Sequence, residues 1–176
     1  MFSKCENIIN LDLSYFNTSK INKMSNMFSY MNLENIDLPI FDTINIETMK
    51  DMFAHCNSLK HIKLRFLNTS KIYDITGMFR CCEMLETVKF SSFNDINVEK
   101  MNDMFNSCGK LKEVDLSTFI FSNKTTIEKM FDKCTNLYKI IVNDKKLESQ
   151  FNKEIGKNIV ALPIEEHKYW LVIHNY

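Results

Sequence analysis

Apolar residues recur along this chain on one beat. Phenylalanine stands at Phe2, Phe28, Phe53, Phe79, Phe105 and Phe131, at intervals of 26, 25, 26, 26 and 26 residues. Cys5, Cys56, Cys82, Cys108 and Cys134 follow it three residues later, with Met31 in the second copy. A third position holds Ile8, Leu33, Leu59, Leu85, Leu111 and Leu137, and alternating apolar pairs come next, among them Ile36/Leu38, Ile62/Leu64, Val88/Phe90 and Val114/Leu116. Composition bias cannot keep so many positions in register, whereas a tandem repeat with a period in the twenties does, and such repeats stack. The alternation in Asn57–Leu67, with Ile62 and Leu64 between His61, Lys63 and Arg65, predicts a short strand with one buried face. Strands of successive turns are expected to lie side by side and parallel.

Beyond each strand a polar group of turn formers predicts a loop. Ile21, Met24, Met27, Phe28 and Met31, and likewise Ile72, Ile75, Met78, Phe79 and Cys82, then follow steps close to a helical period. These stripes predict a short helical segment on the back of every turn, with Thr18 or Ser19 capping the first. After residue 142 the beat is lost. Leu147, Phe151 and Ile155 are spaced as on a helix that Gly156 ends, and Tyr169–Ile173 reads as a strand. Residues 1–142 are therefore expected to form the repeat array and 143–176 a C-terminal cap of helix and strand.

The pattern Met-x-x-Met-Phe-x-x-Cys-x-x-Leu-x-x-Ile-x-Leu, clearest over Met52–Phe79, resembles the BspA-like leucine-rich repeat family, including the repeat family of unknown function found in mycoplasma lipoproteins and bacterial surface proteins. The resemblance covers residues 1 to about 142. It implies an α/β fold: a leucine-rich-repeat-type right-handed solenoid of about six turns, with a parallel sheet on one face and helical segments on the other. It also implies cell-surface or secreted display, binding to a host or extracellular-matrix protein, and no catalytic residues.

Charge narrows the partners. Lys and Arg total 22 and so do Asp and Glu, for a net charge of zero, which argues against a nucleic-acid surface. No apolar run is long enough to span a membrane. The six cysteines contain no Cys-x-x-Cys pair for structural zinc, and Met31 in their column marks the slot as apolar, favouring buried free thiols. His55 and Cys56 are adjacent and would point apart, no acid–base pair converges, and no phosphate loop is present; no catalytic group, metal or cofactor is expected. The outward strand positions form a grid in which His61, Lys63, Arg65 and Lys89 are flanked by Asp37 on one side and Glu113 and Asp115 on the other. These seven residues are the expected protein-binding site, able to take an acidic segment. The alternative is a spacer in a longer surface protein, with an enzyme as a remote third reading.

Overall fold

The computed structural model describes residues 2–8, 11, 13, 18, 20–37, 45–64, 70–90, 98–142, 150–151, 158–165 and 168–174. One stacking ladder runs through the Met-Phe dipeptides. The amides of Phe2, Phe28, Phe53, Phe79 and Phe105 donate to the carbonyls of Met27, Met52, Met78, Met104 and Met130, each at 2.9 Å. Every bond joins one turn to the next. A neighbouring column repeats the device, from Lys4, Tyr30, His55, Cys81 and Ser107 to Ser29, Ala54, Arg80, Asn106 and Asp132. The rings follow the backbone: Phe2, Phe28, Phe53, Phe79, Phe105 and Phe131 form one stack with centroids 5.5–5.7 Å apart and nearly parallel planes. Offset stacking of this kind adds about 0.5–1.5 kcal/mol per pair to the burial itself.

The helical segments expected on the back do not form. Among the described residues, helix is confined to Gln150 and Phe151. The stretch from Met49 to Leu59 is instead a run of β-turns: Met52 N–H donates to Met49 O, Cys56 N–H to Phe53 O, and Leu59 N–H to Cys56 O. The third residue of the first turn has positive φ in each copy (Asn26, Asp51, Gly77, Asp103, Lys129), and so does the third residue of the second turn (Tyr30, His55, Cys81, Ser107, Lys133). A left-handed residue at that position makes a type II turn and ends any right-handed helix. The spacing of the anchors now has a different cause. Corner positions of successive turns point inward and take Met, Phe, Cys and Leu, while the two middle positions are mixed: Tyr30 and Lys50 are exposed, whereas Ser29, Asp51 and Ala54 are buried.

Strands are short and fall in two sheets. β1 (Asn35–Asp37), β2 (His61–Lys63) and β3 (Thr87–Lys89) pair in parallel, with Ile36, Ile62 and Val88 in register. β4 (Glu113–Asp115) pairs in parallel with β5 (Lys139–Val142). β7 (Lys168–His174) then pairs antiparallel with both β5 and β6 (Asn158–Glu165), giving the order β4-β5-β7-β6. The α/β leucine-rich-repeat solenoid is thus corrected to a stack of β-turns and short, mostly parallel strands. Strand β6 was not foreseen, and most of the expected helix around Leu147–Ile155 lies outside the described residues.

One core runs through the stack. Met24, Phe28, Ile46, Met49, Phe53, Met78, Phe79, Leu85, Met104, Phe105 and Leu111 are all essentially buried. The cysteines contribute a polar function inside it. The thiols of Cys56, Cys82, Cys108 and Cys134 donate to the carbonyls of Phe28, Phe53, Phe79 and Phe105 in the preceding turn, at 3.0–3.1 Å. Burial pushes the Cys56 thiol up to about 11 and those of Cys82 and Cys108 well above their ordinary value. All six cysteines are free, and only Cys5 and Cys81 are not buried. Since the thiolate is the reacting form, aromatic-disulfide titration of the native protein at pH 8 should modify Cys5 and Cys81 rapidly, and the remaining four only on unfolding. Rapid modification of the buried four would show that the stack opens readily.

Candidate functional site

The two sheets part between β3 and β4, at the point where the repeat departs from its own pattern. The last inward position of each strand segment is Leu64 in one turn and Leu116 in another, but Phe90 in the turn between them. The Phe90 ring is wedged edge-on against Phe79 and Phe105, both at 6.3 Å, and against Phe119 at 5.1 Å. A ring is larger than the Leu that fills the same slot in the neighbouring turns. Among the described residues no ladder joins β3 to β4, although the Lys112–Glu86 ion pair, at 3.1 Å, ties the two turns together just before the strands.

A cleft of about 430 Å³ opens where the sheet breaks. Thr87, Val88, Lys89 and Phe90 form one wall, Glu113, Val114 and Asp115 the other, and Thr118 and Ile141 complete it. Its size falls in the range of small-ligand pockets, roughly 300–1,000 Å³, and like them it combines an apolar lining with a few polar groups. Those polar groups differ in how far they are committed. The Thr87 hydroxyl is 3.0 Å from His61 Nδ1. Glu113 is paired with Lys139 and accepts from the Tyr138 hydroxyl at 2.8 Å. Hydrogen bonding from Lys139, with help from Tyr138, holds the Glu113 carboxyl below its ordinary value. Asp115 Oδ1 accepts from the Ser117 amide at 2.9 Å. Lys89 is exposed, and among the described residues it makes no side-chain hydrogen bond or ion pair. Thr118 Oγ1 is shielded from water and has no hydrogen-bond partner among the described residues, an arrangement that costs free energy until something supplies one.

Of the residues expected to bind a partner, three meet here: Lys89, Glu113 and Asp115. Asp37 and Lys63 sit in register with one another and with Lys89 in the three-stranded sheet, and His61 starts β2. Arg65 lies outside the described residues. The binding face itself is corrected. It required one continuous strand surface backed by helices, and the structure has neither the helical back nor an unbroken ladder from β1 to β5. Binding of a host or matrix protein across that face is therefore not supported. Thr118 and Phe90 were not singled out from sequence; the available signal was Phe90 itself, standing at a Leu position.

Among the described residues no group of three or more His, Cys, Asp or Glu is placed to hold a metal ion, and no helix is long and apolar enough to cross a membrane. A family model described as Mycoplasma protein of unknown function, DUF285, matches residues 1–65 and 58–155. The expected BspA-like leucine-rich-repeat membership is corrected by that match. No curated protein and no solved structure matches the chain.

Proposed function

Since the chain belongs to this family of Mycoplasma proteins of unknown function, whose description carries no activity, we propose from the site alone that it is a non-catalytic module holding a protein partner at the cleft between β3 and β4. The observation that carries the reading is the cleft: a largely apolar gap at the break between the two sheets, lined on one wall by Phe90 and left unfilled by the chain's described side chains. An apolar side chain of a partner segment entering it would bury about 25 cal/mol per Å² of apolar surface. It would do so against walls fixed by the Phe stack, with little ordering cost on this side. No acid–base or nucleophilic constellation competes with this reading at the cleft, where Glu113 is committed to Lys139 and Tyr138.

Selection of random twelve-residue peptides displayed on phage against the intact chain tests the proposal. Enriched peptides should share an apolar residue. Thr118→Phe, which fills the cleft from its wall, should weaken them at least tenfold while leaving the melting temperature within a few degrees. Equal binding to the filled variant would place the peptides elsewhere and remove the cleft as the site.

A further inference from the structure

The charges at the mouth of the cleft specify more than an apolar anchor. Among the described residues, three pairs of oppositely charged residues one period apart close on each other in the stack: Lys60 on Glu34 at 3.0 Å, Lys112 on Glu86 at 3.1 Å, and Lys139 on Glu113, whereas Asp74 and Lys100, and Asp103 and Lys129, do not. Lys89 and Asp115 have the same separation in sequence and opposite charge, and both line the cleft, yet they form no such pair. The strands that carry them stand on either side of the break. The remaining charge at the mouth, Glu113, is already neutralised by Lys139. Among the described residues, the cleft therefore presents one cation outside any ion pair on its β3 wall and one carboxylate on its β4 wall.

We propose that the partner segment taken by the cleft is a short peptide with an apolar side chain flanked by an acidic and a basic residue. The acidic group meets Lys89, the basic group meets Asp115, and the apolar side chain enters the cleft between the two walls. This rests on the reading of the cleft as the binding site. The two contacts reproduce across the break the ion pairs the stack makes within itself, and each wall then has its complement. Thr118 Oγ1, without a hydrogen-bond partner among the described residues, is available to a polar group of the inserted segment. Complementary charges of this kind fix register and direction more than they add affinity, so the segment should have a preferred orientation.

Fluorescence polarisation with four capped, labelled hexapeptides centred on Leu tests the inference: one flanked Glu-then-Lys, one Lys-then-Glu, one Glu on both sides and one Gln on both sides. One of the two mixed-charge peptides should bind the wild-type chain roughly five- to twentyfold more tightly than the Gln peptide, as two partly exposed ion pairs allow. The advantage should shrink in high salt. The double reversal Lys89→Glu with Asp115→Lys should transfer the preference to the other mixed-charge peptide with no change in melting temperature. If all four bind alike, the reversal changes nothing and Thr118→Phe abolishes binding, the cleft reading stands and the charge inference is overturned. If none binds, both fall. If free leucine displaces the peptides at similar concentration, the occupant is a small zwitterion and the peptide assignment is overturned.

Discussion

Phe79→Ala lowers the unfolding free energy by about 3–5 kcal/mol, the usual range for emptying a fully buried Phe site. Phe79 has no exposed surface, stacks at 5.6 Å on both Phe53 and Phe105, and takes the edge of Phe90 at 6.3 Å. No described turn can collapse into the space without breaking the Met-Phe ladder, since Phe79 N–H is bonded to Met104 O and Phe53 N–H to Met78 O. Phe2→Ala serves as the control. Its ring is half-buried, where that of Phe79 is fully buried, and stacks on Phe28 at 5.7 Å, so its loss should cost less than half as much. Urea titrations of the two variants with an unchanged slope read the difference directly. Equal losses would mean that the two rings are not the middle and the end of one stack.

Gly77→Ala is the second large effect, and it acts through backbone geometry instead of volume. Gly77 has φ of 62°, at the third position of its turn. An alanine held there costs about 1–2 kcal/mol from conformation alone. The added Cβ also runs into the carboxylate of Asp51 in the preceding turn. That carboxylate is largely buried, accepts from Arg80 at 2.9 Å, and is pushed above its ordinary value by burial against the opposing pull of Arg80. The substitution therefore strains one turn and displaces a cross-turn ion pair. A double-mutant cycle separates the two parts. In an Asp51→Ala background Gly77→Ala should cost only the conformational part. Identical costs for Gly77→Ala in both backgrounds would remove the steric component.

The period and the inward positions were legible because like residues stack on like: a Phe over a Phe and a Cys over a Cys leave an unmistakable register. What was misread is the conformation of the back. Steps of three, three, one and three put apolar residues on one side of a helix, and they equally put them on the corners of consecutive β-turns. The discriminating signal lay in the residues between the anchors. Asn26, Asp51, Gly77 and Asp103 form a column of the residue types that tolerate positive φ, and a helix has no reason to repeat them just before each Met-Phe. The thiol column was read as apolar filling because Met31 shares it. Burial supports that, yet each of Cys56, Cys82, Cys108 and Cys134 also donates to a carbonyl, a detail that spacing does not reveal. The candidate site was legible only in part. Lys89, Glu113 and Asp115 stand out in the sequence as charges on a flat grid, whereas the cleft between them lies where the strand ladder is interrupted. A sequence pattern reports which positions face inward; it does not report where the ladder between two strands stops.

Scalar couplings across hydrogen bonds, measured by NMR on the isotopically labelled chain, test the stack of turns most directly. The amide nitrogens of Phe28, Phe53, Phe79 and Phe105 should couple to the carbonyl carbons of Met52, Met78, Met104 and Met130, one turn further along the chain. Couplings from the same amides to carbonyls four residues back, as in an α-helix, would contradict the account.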